Sequence, residues 1–436
     1  MALRRLVDPN AGLPRMMQPQ PQEGEWHYGG WLTPMSPSTT RARLAVLAAF
    51  CIHGVVFSNW VPLIPTVQQT LGLTPGELVG IAHLGSAIGS LVAMPFVGPL
   101  IGRFSSRSVF AVSGLGYCLA LPLPVIAPNL PALFLALTVF GVFQGVSDVA
   151  MNAHGVLVES GYRRPLMSSF HGVWSLGSLG AATAGGVLAA LGTAPLARAF
   201  VPAAILAAAM ALAARAMLPS EGAAHAAGPA FVRLPRQLVV LGVVAFCALI
   251  AEGAIGDWSA VYLRRSLDAS LGLAAAGYVV FTLCMTIARL IGDWVTARFD
   301  AVLLVRLGGG VLAGGLGAAL LAGHTAATLV GFALVGLALA NVLPIVYSAA
   351  GRTSGRGAGS SLAAVSSTGY LGYLVGPPAI GLTADHLTLR GALGIAAALG
   401  LIMAALAPAV RPVPTEPARQ DGRGDGPQPG TASDGY

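Results

Sequence analysis

Residues 238–263 read LVVLGVVAFCALIAEGAIGDWSAVYL, an apolar run with only two charged residues, Glu252 and Asp257. A helix needs about 20 apolar residues to cross the hydrocarbon core of a bilayer, so this run can span a membrane. The chain of 436 residues is 55% hydrophobic and only 9% charged. A soluble domain carries about 25% charged residues, and this composition would leave too little polar surface to face water. The run and the composition together predict that lipid surrounds most of the chain.

Eleven further apolar runs flank this one, so the sequence predicts an all-α polytopic membrane protein with twelve transmembrane helices. The first 41 residues are rich in Pro, Gln and Gly and lack an apolar core, which argues against a cleaved signal peptide. We expect 1–41 and 412–436 to be disordered cytoplasmic tails. The runs lie near 42–64, 78–100, 107–127, 131–157, 166–191, 196–217, 238–263, 270–292, 302–323, 326–350, 358–383 and 388–411.

The arginines give an independent test of this topology. All 24 basic residues are arginine, and they lie in short clusters between the apolar runs. With the N-terminus in the cytoplasm, 19 of them fall in the tails and the even-numbered loops, four in the other loops, and Arg289 inside a run. Because cytoplasmic loops of membrane proteins are enriched in Lys and Arg, this bias predicts that both termini are cytoplasmic. The clusters suit a topology signal better than a nucleic-acid patch, and we expect a multi-pass protein of the bacterial inner membrane.

Short sequence matches relate the two halves of the chain. Asn59-Trp60 lies late in the first run and Asp257-Trp258 late in the seventh, while Leu71-Gly72-Leu73 and Leu271-Gly272-Leu273 open the next runs. Two repeats related by an axis along the membrane normal are a known plan of transporters, with the substrate held between them. The sequence therefore predicts two six-helix halves, 42–217 and 238–411, joined by a central cytoplasmic linker at 218–237.

The loop after the second run reads Gly98-Pro-Leu-Ile-Gly-Arg103-Phe-Ser-Ser-Arg107. It resembles the signature loop G-x-L-x-D-R-x-G-R-R of the major facilitator superfamily, with Gly102 where that family usually has Asp. The equivalent stretch of the second half, Arg289-Leu-Ile-Gly-Asp293-Trp-Val-Thr-Ala-Arg298, keeps the acid. Charge pairs at such loops would hold the halves together on the cytoplasmic side and break when the protein opens. The gating candidates are Arg103, Arg107, Arg289, Asp293 and Arg298, with Asp257 as a candidate for an outer gate.

A narrower resemblance is to the branch that contains the fucose–proton symporters and related bacterial facilitators. The stretches that resemble it are Ser147-Asp-Val-Ala-Met-Asn152-Ala-His, Ser169-Phe-His171-Gly-Val-Trp174-Ser-Leu-Gly177 and Glu252-Gly-Ala-Ile-Gly-Asp257-Trp-Ser-Ala-Val-Tyr262. The resemblance implies that Asp148, at the place of an acid in the fourth helix, serves proton coupling. Those symporters also carry an acid late in the first helix, where this chain has Asn59-Trp60-Val61.

Two polar stripes run along the fourth and fifth predicted helices. Gln144, Asp148 and Asn152 are spaced i, i+4, i+8 and therefore share one helix face. On the fifth helix His171 and Ser175 share a face, next to Trp174. An ionisable group in hydrocarbon usually faces a cavity or a partner, so we expect Asp148 to carry a proton and its neighbours to bind solute. The alternatives are a polar seam between helices and, for His171, either an Asp–His pair or a plain interhelical hydrogen bond.

On the seventh helix Glu252 and Asp257 are five residues apart, so a straight helix points them in different directions. Gly253 and Gly256 could break the helix there, and we expect Glu252 to face the cavity. Proton-coupling candidates are thus Asp148, Glu252 and His171. The solute-binding candidates are Gln144, Asn152, Trp174, Ser175, Asn341, Tyr370 and Tyr373, a mixture of amides, hydroxyls and aromatic rings that suits a polar solute.

These features predict a secondary active transporter that works by alternating access, is coupled to protons, and carries a sugar or another small polar solute. The alternatives are proton-driven efflux of a drug-like or apolar compound, and a sensor that keeps the fold without transport. No GxSxG, HExxH or GxxxxGK[ST] motif is present in the sequence, which argues against an enzyme and against ATP-driven pumping. We expect no cofactor and no metal, and a monomer whose partners are its solute, protons and lipid.

Overall fold

A computed structural model describes residues 37–74, 83–162, 164–219, 234–353 and 357–411. These residues form helices, many of which expose large apolar side chains on the outside of the bundle. Leu321, Leu271 and Val112 are 83%, 76% and 70% exposed. Water would make such a surface costly, whereas lipid tails solvate it, so the exposed apolar belt agrees with a membrane protein.

Eleven continuous helical segments among the described residues are long and apolar enough to cross a membrane. They follow the predicted runs closely. We number them as α1 Ser38–Leu71, α2 Leu84–Phe104, α3 Ser106–Ile126, α4 Leu130–Tyr162, α5 Met167–Ala190, α6 Pro195–Ala216, α7 Arg236–Ser266, α8 Leu271–Arg298, α9 Ala301–Ala322, α10 Thr325–Gly351 and the last segment Ala358–Val410.

The last segment contains two spans. It is 53 residues long, which at 1.5 Å per residue would be about 80 Å, far more than the 30 Å of a hydrocarbon core. Thr388 interrupts it with φ 66° and ψ 157°, values outside the helical region. The chain reverses there, and we number its two parts α11 (358–387) and α12 (389–410). The prediction of an all-α protein with twelve spans is thereby confirmed.

Two of the predicted boundaries need correction. Helix is already present at Pro37, within the predicted N-terminal tail 1–41, and at Arg236, within the predicted linker 218–237. Backbone hydrogen bonding extends a helix into the aqueous interface, where arginine is tolerated, and hydropathy alone does not detect those turns. The rest of the first tail, the linker from 220 to 233, and the tail from 412 lie outside the described residues.

Both ends of the described chain lie on one face of the bundle. Tyr162, at the end of α4, donates a hydrogen bond to the carbonyl of Thr39 in the first turn of α1. Gln237, in the first turn of α7, donates to the carbonyl of Arg411 after α12. Just after α10, Arg352 forms an ion pair with Glu159 near the end of α4, and Thr353 donates a hydrogen bond to Gln237 at the start of α7. These contacts put the α1–α4 pair of ends and the α7–α12 pair of ends on the same side of the bundle. We call this side the termini face; an even number of spans requires such an arrangement.

Close contacts between the two six-helix halves concentrate at the termini face. Gly98 of α2 lies so near Ser360 of α11 that a Cβ atom at position 98 would be 2.8 Å from the Ser360 Cα. Gly292 of α8 lies equally close to Ser168 of α5. Nearer the opposite face, by contrast, Asp257 is exposed and Tyr373 is 44% exposed. The halves are therefore closed together at the termini face.

Cysteine labelling tests the topology. The four native cysteines would be replaced, and one cysteine introduced at Asp268 or at Asp300, two exposed loop positions that the helix order places on opposite faces. Because of the arginine bias, we expect a membrane-impermeant maleimide added to intact cells to label the Asp268→Cys protein and not the Asp300→Cys protein. Labelling of both after cell lysis is the control. The reverse pattern in intact cells would contradict the predicted orientation.

Candidate solute and proton site

Helix α4, which carries the polar stripe, packs closely against α2 because glycines allow the approach. Side chains at Gly141 and Gly145 would collide with the backbone of α2, so the small residues bring the two helices together. Within the stripe, Asn152 donates hydrogen bonds to the Asp148 carboxylate at 3.3 Å and to the Asp148 carbonyl at 2.9 Å. Asn152 is fully buried, whereas Asp148 is partly exposed.

The hydrogen bond from His171 goes to Asn152, not to Asp148 as one alternative had it. The His171 Nε2 lies 3.2 Å from the Asn152 Oδ1. Because the Asn152 amide nitrogen donates to Asp148, its oxygen is the acceptor for a His171 N–H. The amide therefore stands between the two titratable groups. Gln144, the third residue of the stripe, is buried one turn from Asp148 in the direction of the opposite face.

The second half reaches Asp148 through α11. The Tyr370 hydroxyl lies near the Asp148 carboxylate, within electrostatic range. The ring of Tyr347 on α10, also in the second half, lies 5.9 Å from the His171 ring, measured between ring centroids. These contacts join the halves at mid-depth. They bring Asp148, His171 and Tyr370, which are far apart in sequence, into one cluster.

A buried arginine forms a second junction between the halves. Arg289 on α8 is 4% exposed and lies 3.6 Å from the carboxylate of Glu252 on α7. It also donates to the Ser175 hydroxyl on α5 at 3.0 Å and to the Ala340 carbonyl at 3.3 Å. Ser175 in turn donates to the His171 carbonyl. The arginine thus neutralises Glu252 and holds α5 against α8.

The two acids of α7 point to different surroundings, as their spacing predicted. Glu252 contacts Arg289 and is 26% exposed, whereas Asp257 lies one and a half turns further on and is exposed. The suggested break at Gly253 and Gly256 does not occur, because α7 continues as helix from Arg236 to Ser266. The ring of Tyr373 packs near Gly253, which brings this candidate close to the acids.

The indole N–H of Trp174 already has a hydrogen-bond partner within the protein. It donates to the His53 Nδ1 at 3.1 Å, and the His53 Nε2 lies 3.1 Å from the Ser147 hydroxyl. Since Nδ1 accepts, the His53 proton resides on Nε2 and the ring is neutral. Only the apolar faces of Trp174 remain for a solute, and the Phe57 ring lies against one side at 5.5 Å. The sequence did not single out His53 for this role.

Asn341 lies apart from this cluster. It occupies the break in α10, between a helix that ends at Leu339 and one that begins at Val342. Its Oδ1 atom is buried without a hydrogen-bond partner among the described residues and lies against Gly292. The position is close to the closed termini face, so the structure associates Asn341 with the contact between α8 and α10.

Asp293 forms the contact across the termini face that its place in the signature stretch predicted. Its Oδ1 accepts a hydrogen bond from the backbone N–H of Ser169, in the first turn of α5, at 2.9 Å. The N-terminus of a helix carries partial positive charge and unpaired N–H groups, so a carboxylate is stabilised there. Asp293 thus links α8 of the second half to α5 of the first.

Glu159, a buried acid at the end of α4, was not among the residues that the sequence patterns indicated. Its Oε2 accepts from the backbone N–H groups of Leu166 and Met167 at 2.8 and 3.0 Å. Its Oε1 lies 3.9 Å from Arg352 of the second half. An acid shortly before a helix start, with Pro165 between them, was the available signal for capping. Two carboxylates, one from each half, therefore meet the N-terminus of α5.

The arginines predicted to gate have other contacts. Arg107 donates to the carbonyls of Ala214 and Arg215 at the end of α6, within its own half. The guanidinium groups of Arg103 and Arg298 lie over the rings of Phe104 and Trp294, at 5.2 and 4.2 Å from the ring centroids. These contacts stabilise helix ends locally. Two of the six gating candidates, Asp293 and Arg289, have described side-chain contacts with the other half.

The start of α11 differs from the start of α5. Helix α11 packs on the first signature stretch as α5 packs on the second, but Gly102 stands at the position equivalent to Asp293. The residue that precedes α11, Gly357, makes no side-chain cap. In the part of the chain that the structure describes, the carboxylate contacts at the termini face are therefore those at the start of α5.

Because of this asymmetry, we expect substitutions at Asp293 and at Gly102 to shift the equilibrium between the forms open and closed at the termini face in opposite directions. Asp293→Asn removes a charged acceptor worth about 1.5–3 kcal/mol, so we expect roughly a ten- to hundredfold shift toward the form open at the termini face. Gly102→Asp adds a carboxylate near the α11 start and should shift the equilibrium the other way. Accessibility of a cysteine at Ser360 in the purified variants measures both. Equal labelling rates in wild type and Asp293→Asn would show that Asp293 does not hold this face closed.

A bundle of twelve membrane-spanning helices in two halves, with polar groups from both meeting at mid-depth, is the architecture of a membrane transporter. The chain belongs to the Major Facilitator Superfamily, whose family model matches residues 46–357 and 241–432. It is similar to an uncharacterised MFS-type transporter of Yersinia pestis, with 38% identity over 376 residues that cover 84% of this chain and 95% of the relative. It is also similar to membrane protein MosC of Rhizobium meliloti, with 32% identity over 397 residues, 90% of this chain and 95% of the relative.

Solved structures share the fold. The transporter FucP in the outward conformation has a TM-score of 0.73 and 17% identity, covering 86% of this chain and 99% of its own. The proton:xylose symporter XylE has a TM-score of 0.67 and 12% identity, covering 84% of this chain and 94% of its own. The resemblance to the superfamily is thereby confirmed, and the protein is a multi-pass membrane transporter.

Proposed function

We propose that this transporter couples movement of a small polar solute to protons by alternating access, and that Asp148 is the proton carrier. The observation that supports this most directly is the position of Asp148. It lies in the middle of α4, is partly exposed, and faces the Tyr370 hydroxyl of the second half within electrostatic range. A carboxylate there contacts both moving bodies at the depth where alternating access exchanges the solute.

The proton has a structural effect at this position. Ionised Asp148 accepts a hydrogen bond from the Asn152 amide and attracts the nearby Tyr370 hydroxyl of the second half. Protonation removes the charge and weakens both interactions, because interactions with charged acceptors are the stronger ones. The link between α4 and α11 then loosens, and the two halves can rearrange. Glu252 and His171 remain the other candidates for coupling, next to Arg289 and Asn152 respectively.

The solute would bind on the open side of this cluster. Gln144 and Asn152 offer amides, Ser175, Tyr370 and Tyr373 offer hydroxyls, and Trp174 offers an apolar ring face. Such a set suits a polar solute, and a sugar is one example. The fucose:proton symporter of E. coli and the proton:xylose symporter share the fold and support this class of solute.

The closed termini face fits the orientation that the arginines predict. With that face in the cytoplasm of a bacterium and the protein in its inner membrane, the structure is outward-facing. Asp293 and Glu159 then act as the inner gate, and Asp257 lies toward the outer mouth. We propose that the protein acts as a monomer, since each chain holds both halves and the complete polar cluster.

A second candidate is proton-driven efflux of an apolar compound. The observation in its favour is the partly exposed aromatic surface beside the polar cluster, where the Phe57 ring lies against Trp174 at 5.5 Å. Measured flux in proteoliposomes separates both transport functions from a sensor that binds solute without moving it. A ligand-stabilisation screen of sugars, nucleosides and common antimicrobials identifies the solute, because a binder of the folded state raises its thermal midpoint.

Asp148→Asn tests the proton carrier. Asn is a permanently neutral substitute, so we expect pH-driven accumulation of the identified solute to vanish, while solute counterflow survives when it is measured at a solute concentration that saturates the variant. Both are measured on the same reconstituted protein. Asp268→Asn is the matched control, since it removes one carboxylate from an exposed loop at φ 49°, a conformation that Asn accepts. Wild-type pH-driven accumulation by the Asp148→Asn protein would exclude Asp148 as the coupling group.

A further inference from the structure

Besides the exposed Asp257, four carboxylates lie near the contact between the halves, and three of them meet positive charge. Glu252 is 3.6 Å from Arg289, and Glu159 is 3.9 Å from Arg352. Asp293 lies at the positive end of α5. Asp148 differs, because the structure describes a neutral amide that donates to it and a neutral hydroxyl nearby, with no cation in contact. When ionised, it is therefore the carboxylate of this group whose charge the protein leaves without a cation.

The nearest arginine cannot serve an acidic solute. Arg289 is 4% exposed, and its nitrogens are directed to Glu252, Ser175 and the Ala340 carbonyl. An anion that approached Asp148 would meet no free cation among the described groups of this cluster. A negatively charged solute is thus disfavoured there, and a positively charged one is favoured.

Tyrosine hydroxyls lie near the same carboxylate. Tyr117 is fully buried between the rings of His53 and Phe140, with centroids 4.8 and 4.6 Å away, and its hydroxyl has no hydrogen-bond partner among the described residues. This hydroxyl, with those of Tyr347 and Tyr370, lies within electrostatic range of Asp148. An unpaired hydroxyl oxygen is a ready acceptor for an N–H donor.

The histidines beside the cluster do not contact Asp148 directly. His53 is neutral because its Nδ1 accepts from Trp174, and His171 bonds through Nε2 to the oxygen of Asn152, which stands between it and Asp148. No described cation thus contacts the Asp148 carboxylate as a counter-ion. The titratable and charged groups that face Asp148, directly or through one neighbour, are His53 on α1, Tyr117 on α3, His171 on α5, Glu252 on α7, Arg289 on α8, Tyr347 on α10 and Tyr370 on α11.

We propose that the solute carries a protonated amine, and that the amine and the transported proton occupy Asp148 in turn. The inference rests on the proposed function, in which Asp148 is the coupling group. An ammonium that binds from one side displaces the carboxyl proton to that side, and a proton that binds from the other side displaces the ammonium. The two are therefore exchanged, and the carboxylate changes sides without an unpaired charge, which lipid would penalise.

Paired ligands test the charge of the solute. Purified full-length protein in detergent would be mixed with amines and with alcohols of the same skeleton: glucosamine with glucose, ethanolamine with ethylene glycol, and phenethylamine with phenethyl alcohol. We expect at least one amine to raise the thermal midpoint while its partner alcohol does not. The Asp148→Asn protein should lose this response, with an affinity weaker by at least about tenfold. The Asp268→Asn protein should retain it.

Proton release provides a second readout. In weakly buffered solution containing a pH-indicator dye, adding the responding amine to wild-type protein should release protons, up to one per molecule, and the Asp148→Asn protein should release none. Acidification should weaken amine binding, because protonated Asp148 is the competing form, by no more than about tenfold per pH unit. Asp148→Glu keeps the charge and should keep both responses. This variant distinguishes loss of the site from a failure to fold.

The outcomes separate this inference from the proposed function. Equal stabilisation by amines and alcohols, no stabilisation by any of the amines, or amine binding that survives in folded Asp148→Asn protein would overturn the inference. A neutral solute whose pH-driven uptake depends on Asp148 would also overturn it while leaving proton-coupled transport intact. Amine-induced proton release that needs Asp148 would support the site even if reconstituted protein showed no pH-driven flux, and that second result would contradict the transport proposal.

Discussion

A carboxylate inside the hydrocarbon layer needs a cation, a set of N–H or O–H donors, or a proton, because lipid supplies none of these. This constraint explains where the polar residues of the bundle meet. Glu252 is held by Arg289, and Glu159 by two backbone N–H groups and Arg352. Asp148 has only neutral groups described beside it, the Asn152 amide that donates to it and the nearby Tyr370 hydroxyl. The acids that meet positive charge form structural contacts, whereas the acid beside neutral groups is the proposed site of coupling.

Helix α5 is the element that most of these contacts share. Its N-terminus receives carboxylates from both halves, through Glu159 and Asp293. One turn further, His171 contacts α4, and the next turn brings Ser175 against Arg289 of α8. A movement of α5 relative to α8 must therefore break the gate contact and the contact at mid-depth together. This arrangement gives a physical route by which a change near Asp148 can reach the termini face, since α4 and α5 are joined by the Asn152–His171 hydrogen bond.

Much of this could be predicted from the sequence because the relevant signals are local. Apolar run length sets the spans, arginine placement predicts their orientation, and a spacing of four residues puts Gln144, Asp148 and Asn152 on one face. The signature stretches predicted that Asp293 would lie at a gate, and the structure places it between the halves. By contrast, the roles expected for Arg103, Arg107 and Arg298 depended on which neighbour each side chain reaches. A long arginine has several carbonyls and rings within reach, so sequence position alone does not select one.

The sequence by itself therefore determined the membrane as solvent, the count of twelve spans, the two halves and the set of ionisable residues inside them. Only the tertiary structure decided how those residues pair. It placed Asn152 between Asp148 and His171 and paired Trp174 with His53. It also brought Tyr370 of the other half near Asp148 and placed the Glu159 carboxylate at the N-terminus of α5. The physical reason is that helix periodicity fixes the face on which a side chain lies, whereas its partner depends on the packing of helices that are distant along the chain.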